Sequence, residues 1–228
     1  MMMEMLGSQS GTEDGKGWPL QIPRHVTDSD FFKRGGADIV RGLFSRSIID
    51  QLAQDARDQM PLEHRSVLYE SDTTSEGRGG KPARALSNIA GTQLQFGVFM
   101  NEPVVHKLSQ LTGLDLSPTG GGTYSYYHQE GDFLALHRDV LTCDVTVITC
   151  LENSRPTQSG ALYLYPNHIL TPLSELRGRP DRSGVIVDLE PGDVAILLGS
   201  VVPHEVSRLP KDQHRTVALM CYRVAGWS

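Results

Sequence analysis

The spacing of apolar positions changes character partway along the chain. In the first half it is helical. Ile48, Ile49, Leu52, Ala53 and Ala56 recur at a period near 3.6 behind Ser45 and Ser47, two candidate N-caps, and the apolar run Ile39-Val40-Arg41-Gly42-Leu43-Phe44 precedes them. This predicts a strand entering an amphipathic helix. A second helix is predicted where Asn101 offers a cap and Glu102 and Pro103 fill the first turn. Val104, Val105, Leu108 and Leu111 form its buried face and Gly113 ends it.

From Thr119 onward the pattern becomes short runs of β-branched and aromatic residues. These are Thr123 to Tyr127, Phe133 to Arg138, Val145 to Leu151, Ala161 to Tyr165, Val185 to Leu189, Val194 to Leu198 and Thr216 to Val224. Turn residues separate them, at Asn153 to Gly160, Arg177 to Gly184, Pro191-Gly192-Asp193 and Pro210-Lys211-Asp212. Many short strands preceded by helices predict a mainly β fold, a sandwich or jelly roll with helices packed on one sheet. Two stretches lack periodicity. Residues 1–17 are polar and Gly-rich and are expected to be a disordered tail, leaving 18–228 as one domain. Tyr69 to Asn88 is also polar and Gly-rich, and so long an irregular segment is either a functional lid or disordered.

Composition narrows the function classes. With 228 residues, 39% of them hydrophobic, the chain can bury one sizeable core. A net charge of -6 with basic residues scattered along the chain gives no stripe for a phosphate backbone, so nucleic acid is not an expected partner. No secretory signal opens the sequence and no stretch reaches the roughly 18 apolar residues of a membrane span. A soluble, cytoplasmic protein of undetermined oligomeric state is expected. Three cysteines, an odd number without C-x-x-C spacing, argue against a disulfide framework or a structural zinc site, and Cys150 and Cys221 are read as buried small hydrophobes.

The chemistry concentrates in Tyr126-Tyr127-His128-Gln129-Glu130-Gly131-Asp132-Phe133-Leu134-Ala135-Leu136-His137-Arg138-Asp139. On a strand, His137 and Asp139 project to the same face while Arg138 points to the other. Downstream, His204 follows the turn Gly199-Ser200, and Arg215 lies across the Pro210-Lys211-Asp212 turn. Two antiparallel strands joined there would bring His204 and Arg215 into one pocket, with His214 facing away. Two histidines and one carboxylate make the facial triad of non-haem Fe(II) oxygenases, with positions left for co-substrate and dioxygen. His137-Arg138-Asp139 also spells the H-R-D of a kinase catalytic loop, but Asp144 stands where that motif needs Asn, and no Gly-rich loop with its lysine is present.

The run from Tyr127 through Gly131-Asp132-Phe133-Leu134 to His137 and Asp139, then Ser159-Gly160-Ala161-Leu162-Tyr163-Leu164-Tyr165-Pro166, then Pro191-Gly192-Asp193-Val194-Ala195-Ile196-Leu197, then His204 and Arg215, resembles the Fe(II)/2-oxoglutarate dioxygenases of the prolyl-4-hydroxylase-like branch. The resemblance implies a double-stranded β-helix with Fe(II) held by His137, Asp139 and His204. It implies 2-oxoglutarate anchored by Arg215 and touched by Tyr127, with Tyr126 in its place if a bulge shifts the alternation. It further implies O2-dependent oxidation of an unactivated C–H, with 2-oxoglutarate converted to succinate and CO2.

The sequence departs from the branch in two places. Collagen-type members have Lys where Arg215 stands, and many have Tyr where Leu134 stands, so their substrate does not transfer. Asp139, in the position that halogenating relatives give to a small residue, favours hydroxylation or another oxidative outcome over halogenation. The expected substrate is a small molecule or amino acid, with a peptidyl hydroxylase or a non-catalytic cupin-like binding protein as alternatives. Segments 69–88 and 153–160 are expected to frame the mouth, and Arg78 or Arg84 is a candidate to bind a substrate carboxylate.

Overall fold

A computed structural model describes residues 19–72, 76–154, 160–179 and 183–227. The expected tail at 1–17 and parts of the turns at 153–160 and 177–184 lie outside these. Among the described residues the strands are β1 (Ala37–Val40), β2 (His64–Leu68), β3 (Arg84–Ala90), β4 (Leu116–Tyr127), β5 (Phe133–His137), β6 (Val145–Asn153), β7 (Leu162–Leu164), β8 (Val185–Val187), β9 (Val194–Leu197), β10 (His204–Val206) and β11 (Arg215–Val224). The helices are α1 (Arg24–Thr27), α2 (Asp30–Lys33), α3 (Arg46–Gln59), α4 (Gln93–Phe99), α5 (Glu102–Thr112) and α6 (Leu173–Arg177).

The strands form one antiparallel path, β1-β9-β6-β11-β4-β3-β5-β10-β7-β8, with β2 paired to β3. The path folds back on itself at β3, whose end residues Ser87 to Ala90 pair with β4 while Arg84 and Ala85 pair with β5. Ile148 of β6, Val217 of β11 and Ser125 of β4 consequently face Leu162 of β7, His204 of β10 and His137 of β5 across a common interior. This is the jelly roll, or double-stranded β-helix, expected from the strand pattern.

Helices cover the outside of the β6-β11-β4 layer. α3 begins at Ser45, whose Oγ accepts the Ile48 N–H at 3.3 Å, and buries Ile49, Leu52, Ala53 and Ala56 against β6 and β11. Burying Leu52 alone is worth about 2 kcal/mol. Tyr126 lies on this outer side: its hydroxyl donates to the Ala56 carbonyl at 2.7 Å. α5 runs to Gly113, whose φ of 67° closes it in the left-handed conformation that the sequence pattern assigns. No described helix is long and apolar enough to cross a membrane.

Three expectations are corrected. β10 does not pair with β11; it lies between β5 and β7, so His204 and Arg215 approach from facing layers and not from one hairpin. Cys143 and Cys221 are joined by a disulfide, Cα atoms 4.9 Å apart across 78 residues of sequence, and Cys150 is the buried free thiol. Cys221 is therefore a cross-link between the turn before β6 and β11, and an odd cysteine count did not exclude a single bridge.

The described part of the 69–88 segment is neither loose nor irregular throughout. Its end is strand β3, and ahead of that Arg78 is clamped onto buried Asp144 and onto the Leu141 carbonyl at 2.9 Å, with its guanidinium 5.0 Å from the Trp227 ring centre. The Gly79 N–H donates to the Asp139 carbonyl at 2.9 Å.

Candidate metal centre

The turn between β4 and β5 is shaped by Asp132, which is fully buried. Its Oδ2 accepts the N–H groups of His128 and Gln129 at 3.0 and 3.1 Å, and its Oδ1 takes Arg65. Gly131 supplies the left-handed φ of 83° that this turn requires. β5 then carries an irregularity: His137 pairs with His204, whereas Leu134, three residues earlier, pairs with Val206, only two residues away. The extra residue is a bulge that turns both Leu134 and His137 toward the interior.

His137, Asp139 and His204 come together there, each offering a ligand atom within 4.8 Å of the others. The imidazole centres are 4.2 Å apart, and each Nε2 lies 3.5 Å from Asp139 Oδ1. Both Nδ1 atoms face a carbonyl of their own strand, Ala135 for His137 and Val202 for His204, each at 2.9 Å. A carbonyl only accepts, so Nδ1 carries a proton in each ring and Nε2 is the ring nitrogen turned toward Asp139. Thr146 Oγ1 donates to Asp139 Oδ2, which leaves Oδ1 facing the two histidines. The donor set of two imidazoles and one carboxylate oxygen, all converging on one point, fits a divalent iron.

The charges support that fit. Burial disfavours the ionised Asp139, but His204 and His137 outweigh it and hold the carboxyl well below its ordinary range. Burial, with His204 beside it, pushes the His137 pKa down, so this ring stays neutral. For His204 burial also opposes the charge, yet Asp139 wins and the pKa is raised.

Behind the triad is a cavity of about 100 Å³ lined by Tyr127, Ser125, Thr146, Ile148 and Arg215 together with the triad itself. Arg215 is 3% exposed and sits opposite Tyr127 in the β11–β4 register, its guanidinium 5.6 Å from the Tyr127 ring centre. Burial pushes the Tyr127 hydroxyl up to about 12, partly offset by Arg215, so it remains a donor. Of the two candidate tyrosines the fold brings Tyr127, and not Tyr126, to this cavity. A larger apolar groove of about 300 Å³, between β1 and β8 with Ile39 and Val185 on its walls, contains no residue of the triad.

Three residues that hold the centre were not singled out by sequence reasoning. Arg138, 1% exposed, donates to the carbonyls of Val201, Glu76, His168, Ile169 and Thr171 at 2.8 to 3.2 Å. Thr146 orients the carboxylate. Gly199, whose carbonyl accepts the Asp139 N–H at 2.8 Å, is packed so closely that a Cβ there would lie 1.9 Å from Asp139 Oδ2. Only the position of Gly199, shortly before His204, gave a signal.

No family model matches the sequence, and no curated protein matches it. Solved structures do. The chain is similar to SnoN, a non-heme alpha ketoglutarate dependent epimerase from nogalamycin biosynthesis, with a TM-score of 0.64 and 16% identity over 84% of this chain and 79% of that one. It is similar to SnoK, a non-heme alpha ketoglutarate dependent carbocyclase of the same biosynthesis, with a TM-score of 0.63 and 13% identity over 89% and 84%. It is also similar to a Pseudomonas putida prolyl-4-hydroxylase, with a TM-score of 0.55 and 17% identity over 86% and 97%. At these identities the likeness is one of architecture: the chain has the fold of the non-haem iron, 2-oxoglutarate-dependent oxygenases.

Proposed function

We propose that this protein is an Fe(II)- and 2-oxoglutarate-dependent oxygenase that hydroxylates an unactivated C–H of a small molecule or amino acid. The observation that carries the reading is the preset orientation of the triad: both histidines donate through Nδ1 to carbonyls, and both Nε2 atoms converge with Asp139 Oδ1. Iron bound there would supply dioxygen activation coupled to oxidative decarboxylation of 2-oxoglutarate.

The chain's own residues supply the rest. His137, Asp139 and His204 would hold the metal on one side and leave the other side for co-substrate and O2. Arg215 would grip the far carboxylate of 2-oxoglutarate with parallel hydrogen bonds, and Tyr127 would donate its hydroxyl to the same group. Apolar walls, Leu86, Leu134, Leu162 and Val206, would keep water from the reacting carbon. Structures of the fold include SnoN in complex with Fe3+, alpha ketoglutarate and nogalamycin RO, and a Trichoplax adhaerens prolyl hydroxylase with a peptide fragment. A small-molecule substrate is favoured here by the narrow interior, and an oxidative outcome such as hydroxylation is favoured over halogenation by the metal-facing carboxylate of Asp139.

The test is an anaerobic spectrum of the protein with Fe(II) and 2-oxoglutarate. A weak visible charge-transfer band, lost in Asp139→Ala and weakened in Arg215→Ala, is expected. Absence of the band together with absence of Fe(II) binding would overturn the reading.

A further inference from the structure

We propose that Arg84, with Ser66, is the anchor for a carboxylate on the prime substrate, so that the substrate class is a small carboxylic acid; the inference rests on the oxygenase reading above. Leu86 of β3 and Leu134 of β5 line the interior cavity, and Arg84 lies two residues before Leu86 and directly opposite Leu134 in the β3–β5 register. Strand alternation therefore puts the Arg84 side chain on the same face as Leu86 and Leu134, the face toward the interior. Ser66 and Leu68 of β2, opposite Leu86 and Arg84, continue this same face.

Arg84 is half-buried. Its Nε donates to Ser66 Oγ at 2.7 Å and its Nη1 to the Pro82 carbonyl at 3.3 Å, and no described carboxylate pairs with it. Other arginines of this region are matched to acids: Arg65 to Asp132, Arg78 to Asp144 and Arg57 to Glu152. Of the two arginines that the sequence offers for a substrate anion, Arg78 is thus consumed by the fold and Arg84 is not. The bond to Ser66 fixes the guanidinium plane, and because Ser66 Oγ accepts that bond, its own hydrogen is left to donate. Nη2 of Arg84 and the Ser66 hydroxyl together present two donors, the complement of the two oxygens of one carboxylate. A phosphate dianion would leave more charge and more acceptors than this pair can meet.

Leu134 and His137 are three residues apart on β5, about 10 Å of strand. An anion at Arg84 and a C–H at the metal position therefore fit within one small molecule.

The test uses the full chain loaded anaerobically with Fe(II) and saturating 2-oxoglutarate, whose visible band first reports the oxygenase site. Common L-amino acids, their N-acetyl derivatives and short hydroxy acids are then titrated calorimetrically, each against its primary amide. The expected result is at least one acid that binds about tenfold or more tighter than its amide, with that preference lost in Arg84→Gln and partly kept in Arg84→Lys. The band persists in Arg84→Gln, because iron and co-substrate are held by other residues. A panel with no acid preferred over its amide, a preference that survives in Arg84→Gln, or tighter binding of the matching phosphate monoesters would each overturn the proposal. A missing band in the wild-type protein would instead sink the oxygenase reading.

Discussion

The Nε of Arg138 donates to the carbonyl of Val201 at 2.9 Å, and through this bond the strand end that carries His137 and Asp139 is tied to the loop that delivers His204. The same guanidinium reaches Glu76 and the 168–171 turn, so one buried cation fastens several segments around the metal position. Burial lowers its pKa to about 10, which keeps it charged at neutral pH. Replacement by methionine leaves several buried carbonyls without a donor. Arg138→Met is expected to lose about 3 kcal/mol or more of stability in urea unfolding, and Fe(II) affinity should fall at temperatures where the variant is still folded.

Gly199 gives a sharper test of the carboxylate. A methyl group there collides with Asp139 Oδ2 and with Thr146 Oγ1, at 1.9 and 2.6 Å. Gly199→Ala should therefore cut metal affinity by about 100-fold, toward the upper end of what loss of ligand support costs. Thr146→Val, which removes only the orienting hydrogen bond, should cost about tenfold. Equal metal affinities in wild type and Gly199→Ala, measured by competition with a chelator, would contradict this geometry.

Removing the buried guanidinium of Arg215 should weaken co-substrate binding while leaving the triad intact. Arg215→Met is expected to weaken 2-oxoglutarate by about 30-fold or more, the equivalent of 2 kcal/mol, with Fe(II) affinity unchanged. Tyr127→Phe should be milder, about fivefold, since a neutral donor is lost. Titration of the visible band with 2-oxoglutarate separates these outcomes.

Metal binding should release a proton from His204. His204 is held protonated more tightly than an ordinary imidazole because Asp139 outweighs the effect of burial, whereas His137 is shifted the other way and is already neutral. A metal must displace the proton from Nε2 of His204, so affinity rises with pH through the raised His204 range and falls on acidification. Calorimetry in buffers of different ionisation enthalpy should record about one proton released per Fe(II) bound below the raised His204 pKa, declining above it. Proton release that does not change with pH would contradict the assignment.

The triad was legible because a strand has period two, so His137 and Asp139 could be placed on one face without knowledge of the partner strand. Arg215 and Tyr127 followed from family likeness and meet in the β11–β4 register. What stayed hidden depended on contacts distant in sequence. Alternation placed Arg138 on the face away from the metal, and it does point there, yet nothing local showed that the turn at 168–171 and the loop at 201 cover it with carbonyls. β10 has only three residues, too few to signal a strand, and its partners are set by the fold-back at β3. β3 itself starts inside a polar stretch, because its first residue, Arg84, is half-buried and not in the core. The Cys143–Cys221 bridge joins positions 78 residues apart, a pairing no local pattern encodes.

The bulge in β5 allows one short strand to serve two masters. With strict alternation, Leu134 and His137 would look in opposite directions, and a wall contact and a metal ligand could not share the strand's inner side. The inserted residue separates them into two independent halves. Changes at Leu134 and its neighbour Arg84 can retune which molecule is accepted without moving His137, so selectivity in this scaffold is free to drift while reactivity stays put.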